Sequence, residues 1–290
     1  MGNGIIIRIT RVDKTLQTPM YFFLANFSFL EICYVSTTIP KMLMNLWTQQ
    51  RNISLFECAT QMCFFLIFGG TECLLLAVMA YDRYVAISNP LHYPLVMKRR
   101  VCIQLVTCSW ITGIPVPIGQ MYQTYSLPFC GSNQINLFFC GMPQVFTLAC
   151  GDTFPNEMLV YIVVVLFVTV PFLLILGSYG KIISTILKLP SATSRAKAFS
   201  TCSSHLIVVT LFFGSGFTTY FQPKSKHSSE RDRFLSLFYT ILVPVFNPMI
   251  HTLRNKDVMV ALKKLLPQCF VTLATNFNFL CLFSFNSGVL

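Results

Sequence analysis

The side chains able to change charge or partner sit where an apolar chain would not place them by chance. Asp82, Arg83 and Tyr84 close a run from Cys58 to Ala80 in which Glu72 is the only ionised residue. An apolar run of ~20 residues reads as a membrane-spanning helix, so the Asp-Arg-Tyr sequence falls at a membrane surface. Glu72 and Arg83 stand eleven residues apart. At 3.6 residues per turn they share nearly one helix face, ~16 Å apart along the axis. Asp82 and Arg83 are neighbours and do not face one another as residues three or four apart do, which leaves the guanidinium free to change partners. The bland alternative is an arginine snorkelling to lipid headgroups. Glu31 is a second carboxyl inside an apolar run. Burying such a group costs ~3 kcal/mol on insertion scales, which makes Glu31 and Glu72 functional candidates, with two hydrogen-bonded structural carboxyls as the alternative. No nucleophile, base and orienting group recur together, so an enzyme is not expected. No paired short Cys or His spacing suggests zinc, and neither a metal nor a cofactor is expected.

The elements that must position these groups follow from composition. Hydrophobic residues make up 54% of the 290 and charged residues 11%, roughly half the usual charged share, which points to an all-α membrane protein of several spans. The net charge of +11 lies in short segments between apolar runs, a topological pattern rather than a nucleic-acid surface, and no nucleic-acid partner is expected. The twelve cysteines are too scattered for a small disulfide scaffold, and most lie within apolar runs. No cleavable leader is visible at Met1 to Ile9. Residues 1–9 are apolar but too short to cross a ~30 Å core, and read as the remnant of a first helix.

Six full spans are predicted over 19–46, 58–87, 101–119, 158–189, 195–221 and 234–253. Pro19 suits a helix start, and Pro171 and Pro248 fall inside spans. A polar segment from Thr48 to Glu57 carries the sequon Asn52-Ile53-Ser54, a glycosylation candidate or a chance match. Tyr122 to Glu157 is a long loop holding Cys130, Cys140 and Cys150, and loops of that length are usually functional or braced. Assigning the spans to alternate sides puts 15 of the 21 Lys and Arg on the Asp82 side and leaves Lys41, Arg51, Lys224, Lys226, Arg231 and Arg233 opposite. The Asp82 end is therefore expected to be cytoplasmic.

Five motifs then carry a specific likeness: Pro19-Met20-Tyr21-Phe22-Phe23-Leu24, Met79 to Ile87, Ser178-Tyr179, Lys197 to Leu206, and Asn247-Pro248-Met249-Ile250. In this order and spacing the chain resembles an olfactory receptor of the rhodopsin-like G-protein-coupled class, from about Gly2 to Leu266. The resemblance implies a receptor domain over 1–266, a seven-helix bundle whose first helix is mostly missing. Residues 255–266 would form an amphipathic surface helix, and 267–290 a hydrophobic tail unlike the family's, read as a membrane-lying segment or a chance extension. The family's outer N-terminus with its sequon is also missing ahead of Asn3.

The resemblance also implies roles. A small volatile or lipophilic odorant would bind among Phe65, Leu66, Gly69, Gly70, Val163, Phe167, Phe213, Gly216, Phe217, Tyr220, Leu237 and Thr240, where glycines open volume and aromatics line it. Coupling to a heterotrimeric G protein of the stimulatory type, raising cAMP, would involve Asp82, Arg83, Tyr84, Tyr179, Lys197, His205, Asn247, Pro248 and His251. His251 stands where the family usually has Tyr, and an imidazole is shorter and titrates near neutral pH. Glu31 and Glu72 would fall in the interior polar site where related receptors hold water or sodium. Cys58 would bridge to Cys140 and Cys130 to Cys150, bracing the long loop. Gly141 stands where the family often has an acidic residue. The implied location is the plasma membrane, with lipid as the surrounding partner. Two alternatives stay open at this point: a non-signalling truncated receptor-like product, and a small-molecule transporter, against which no inverted repeat is apparent.

Overall fold

The computed structural model describes residues 2–48, 54–130, 145–146, 149–220 and 243–265. Among the described residues five helical stretches are long and apolar enough to cross a membrane: Pro19–Pro40, Phe56–Ser88, Arg99–Tyr125, Phe154–Leu187 and Ala192–Phe217. The elements in order are α1 (Gly2–Val12), a 3₁₀ turn (Lys14–Leu16), α2 (Pro19–Thr48), α3 (Leu55–Ser88), the short α4 (Tyr93–Val96), α5 (Arg99–Gly113) and α6 (Pro115–Tyr125). They continue with α7 (Phe154–Val164), a π-helical turn (Val165–Thr169), α8 (Val170–Leu187), α9 (Ala192–Tyr220), α10 (Val243–Arg254) and α11 (Lys256–Leu265).

Several boundaries differ from the sequence expectation, each for a local reason. The first helix runs through Val12 rather than stopping at residue 9, and its last turn includes Thr10, whose hydroxyl donates to the Ile6 carbonyl at 2.9 Å. It ends where the Asp13 carboxylate accepts from the Thr15 amide at 2.9 Å and opens the 3₁₀ turn. The third span starts at Leu55 rather than Cys58, since Ser54 and Glu57 form a capping box that satisfies two otherwise orphaned amides. The span expected over 101–119 is two helices, Arg99–Gly113 and Pro115–Tyr125, that meet at Ile114 with Pro115 in the first turn of the second. The one expected over 158–189 begins earlier, at Phe154, whose amide is held by Asp152 Oδ1 at 3.0 Å. Pro190 is compatible with its end at Leu187. Within it, Pro171 has no N–H, and the π-helical turn just ahead of it accommodates the break in the ladder. Of the span expected over 234–253, the described part is Val243–Arg254.

The core lies along α3. Leu75, Leu76, Met79 and Ala80 are almost fully buried and pack in one cluster with Phe23, Phe27 and Leu30 of α2, Ile175, Ile182 and Ile186 of α8, and Val208 of α9. In lipid a helix gains little from apolar contact alone, so close approach and polar links must specify the neighbours. One close approach is at Gly113 of α5, where an added Cβ would collide with the Thr71 hydroxyl of α3. Thr71 in turn donates to the Ile67 carbonyl at 2.7 Å, which ties the collision to helix backbone. Another is at Gly2, where a Cβ would stand 3.2 Å from Pro248 Cβ and so fixes α1 against α10.

Candidate functional site

At the Asp82 end the last turns of α3 put Asp82 and Arg83 in the interior, 2% and 7% exposed, with Tyr84 half-buried. Asp82 has a partner outside its own helix: the Tyr93 hydroxyl of α4 donates to its Oδ1 at 2.9 Å. Burial, with the Asp82 charge adding to it, pushes the Tyr93 phenol above its ordinary range, so the phenol stays a donor. Among the described residues Arg83 forms no ion pair within 4.0 Å, and its charge is felt at Asp82 beside it and at Tyr21, Tyr93, Tyr179 and Cys202 on four other segments.

Two further aromatic hydroxyls close this end. Tyr179 of α8 and His205 Nδ1 of α9 are 2.8 Å apart, with rings stacked at 5.8 Å between centroids, and both are buried. Tyr21 of α2 donates to Asn255 Oδ1 and Asp257 Oδ2, each at 3.1 Å, and so ties the start of α2 to α11. Outside the bundle Lys264 lies 3.6 Å from Asp13. The Asp13 carboxylate is held below its ordinary range, chiefly by the Thr15 amide. Tyr93, Tyr21 and Asp257 were not singled out as site residues from sequence; Tyr21 carried a signal as the one phenol in the motif that opens α2. Lys197 and His251 lie on α9 and α10, and their side chains fall outside the described residues.

Deeper in the bundle Asn247 of α10 donates its amide to Glu31 Oε1 of α2, with both side chains within 1% of full burial. Pro248, next to it, is the residue that removes a backbone donor from α10. Glu31 Oε2 is buried without a hydrogen-bond partner among the described residues. Glu72 of α3, 4% exposed, is near enough to Glu31 for their charges to interact. Among the described residues no cluster of three His, Cys, Asp or Glu could hold a metal.

At the opposite end the contacts are aromatic. Phe65 of α3 is buried and lies 5.6 Å from the Tyr34 ring, with Leu66 half-buried beside it. Gly69 faces open space, and a Cβ at Gly70 would stand 3.3 Å from Phe167 Cδ1 in the π-helical turn. Val163 and Phe167 are half-buried on the same strut. Phe213 is 5.0 Å and Phe217 5.4 Å from the Phe172 ring, and Gly216 opens to space between them. Phe172 is the residue sequence reasoning missed here: it joins α8 to α9 one residue after Pro171. The Tyr220 side chain, Leu237 and Thr240 lie outside the described residues.

The loop above this end is closed at its base. Cys130 and Cys150 are bonded, the Cys150 amide donates to the Pro128 carbonyl at 2.9 Å, and Phe129 pairs with Ala149 in an isolated bridge. Cys58 is also disulfide-bonded, and the Tyr125 hydroxyl donates to its sulfur at 3.2 Å. Cys140, its expected partner, and Asn52 lie outside the described residues.

The family model described as olfactory receptor matches residues 1–269. Human (Homo sapiens) Olfactory receptor 10AG1 is 66% identical over 266 residues, covering 92% of this chain and 88% of its own length. Human Olfactory receptor 10A7 is 50% identical over 268 residues, covering 92% and 85%. Human Olfactory receptor 10A4 is 52% identical over 266 residues, covering 92% and 84%.

Proposed function

The chain belongs to the olfactory receptor family, and from that premise we propose that a small volatile or lipophilic odorant bound at the aromatic end activates a stimulatory heterotrimeric G protein at the Arg83 end, raising cAMP. As a member it is an odorant-sensing G-protein-coupled receptor of the plasma membrane with several spans, not an enzyme. The observation that carries the coupling is a buried arginine that, among the described residues, has no ion pair and is set among tyrosines that belong to separate helices. A cation so placed takes a new partner when one of those helices moves, whereas a surface arginine would not need one.

The ligand would sit between Phe65, Leu66, Gly69 and Gly70 on α3, Val163 and Phe167 on the next span, and Phe213, Gly216 and Phe217 on α9, with Tyr220, Leu237 and Thr240 as further contacts. Its differential affinity for two arrangements of the bundle shifts their populations, and a coupling of roughly 1–3 kcal/mol suffices for a 5- to 150-fold change in affinity. The moving element is the Arg83-side half of α9, including Lys197 and His205, against the Tyr179 contact. Glu31, Glu72 and Asn247 would hold a sodium ion or water between the two ends, with Pro248 and His251 following on α10. Cys58–Cys140 and Cys130–Cys150 brace the loop over the ligand, and Asn52 is the glycosylation candidate. The basic end faces the cytoplasm in this reading.

The test is a cAMP reporter in cells expressing the chain, read together with surface labelling of the intact cells. An odorant-dependent rise from surface-positive cells is the expected outcome. Uptake of the odorant by those cells with no cAMP change would overturn the proposal in favour of transport.

A further inference from the structure

We propose that the basic end of this bundle carries a built site for an anionic glycerophospholipid of the facing leaflet, in the cleft between α1, α2 and α5. The cleft has a volume of about 820 Å³ and is partly open. Two features make its occupant an amphiphile with a negative head. Its mouth holds Arg11 in the last turn of α1 and Arg99 at the first residue of α5, both exposed, and among the described residues neither guanidinium has an acidic partner. The neighbouring acid, Asp13, is already taken by Lys264 and the Thr15 amide.

Its wall runs inward along α2 through Phe22, Ala25 and Phe29, interrupted by Asn26, whose amide donates to the Phe22 carbonyl at 2.8 Å. Phe22 and Phe29, 37% and 53% exposed, both line it and lie seven residues apart, a rise of ~10 Å. That path stays within the ~15 Å of one leaflet of a ~30 Å hydrocarbon core. Phe29 ends the path against Trp110 of α5, with 6.3 Å between ring centroids. Headgroup charge and acyl-chain depth are thus both matched by one cleft. A soluble polyphosphate would use only the two arginines, and a sterol only the wall.

A single arginine at a headgroup plane is ordinary snorkelling. Here two arginines from helices separated in sequence line one groove that a lipid chain can enter, and among the described residues neither has an acidic counter-ion. The proposal goes beyond odorant recognition and needs only that the basic end faces one leaflet. It is read without odorant or G protein, so its failure leaves the receptor reading untouched.

The test uses the full chain, purified in mixed micelles of phosphatidylserine and phosphatidylcholine in equal amounts and released for native mass spectrometry. The intact chain is expected to retain phosphatidylserine several-fold over phosphatidylcholine. The double variant Arg11→Gln/Arg99→Gln should lose that preference, while Lys181→Gln/Lys188→Gln, which removes two cations at the same end but away from the cleft, should keep it. Circular dichroism melting of each variant shows that it is folded before its lipids are counted. If both double variants lose the preference equally, only the diffuse field of the basic end attracts lipid and the site does not exist. Equal retention of both lipids by the intact chain overturns the proposal, as does saturable binding of inositol hexakisphosphate that displaces phosphatidylserine completely, or retention of added cholesterol in its place.

Discussion

The two ends of this bundle are built from different interactions. The Arg83 end is held by directional polar contacts between segments far apart in sequence: Tyr93 to Asp82, Tyr179 to His205, and Tyr21 to Asn255 and Asp257. The opposite end is held by ring contacts, as at Phe172 between Phe213 and Phe217, and by glycines, with Gly70 packed close against Phe167 and Gly69 and Gly216 facing open space. Hydrogen bonds have narrow angular limits and tolerate few alternatives, whereas ring packing accepts many residue combinations of similar volume. The polar end is therefore suited to a task with one fixed geometry, and the aromatic end to a volume that can be retuned by single substitutions.

This contrast can be broken or sharpened by four measurements. Arg83→Gln should lower the odorant-driven cAMP response by about 10-fold or more at unchanged surface density, since it removes the group that would change partners in a coupling of ~1–3 kcal/mol. A normal response from labelled cells would remove Arg83 from the coupling role. Glu31→Ala leaves the fully buried Asn247 amide without its acceptor and should lower the thermal stability of the purified receptor by the equivalent of ~1–3 kcal/mol, with Glu31→Gln recovering part of it.

Gly70→Ala adds a methyl against Phe167 and should shift the odorant concentration for half response by about fivefold, near the low end of what one methylene does in an apolar pocket. It should leave the maximal cAMP signal intact, and an equal fall in both would mean that the two ends are not separable. The smallest effect belongs to Asp13→Asn. Because the Asp13 carboxyl is held below its ordinary range in the fold, its contribution is present above the ordinary aspartate value and lost as pH falls through the depressed one. Melting curves of native and Asp13→Asn protein should differ slightly at neutral pH and converge in acid.

Much of this was legible in the chain. The apolar runs and the basic bias indicated the spans, and Asp82-Arg83-Tyr84 marked the end at which charge gathers. Ser54 and Glu57, three apart ahead of an apolar run, form the pattern that a capping box requires, so the start at Leu55 was open to reading although the segment looked polar. The break between Gly113 and Pro115 was foreshadowed by the pair Pro115 and Pro117, but the collision of a Cβ at Gly113 with Thr71 was not. Phe172 had no distinguishing signal among 28 phenylalanines, most of which could serve as packing residues.

Local chemistry along the chain settles which segments enter the membrane, where helices start and which side chains arrive with charge, because those depend on transfer free energy and on hydrogen bonds within a few residues. Which polar groups meet is a different matter. Tyr21 and Asp257 are 236 residues apart, Glu31 and Asn247 216, and nothing in their immediate sequence encodes the distance between them. Their pairing follows from how helices pack at their closest points, at Gly2 against Pro248 and Gly113 against Thr71, and that packing exists only once the whole bundle has formed.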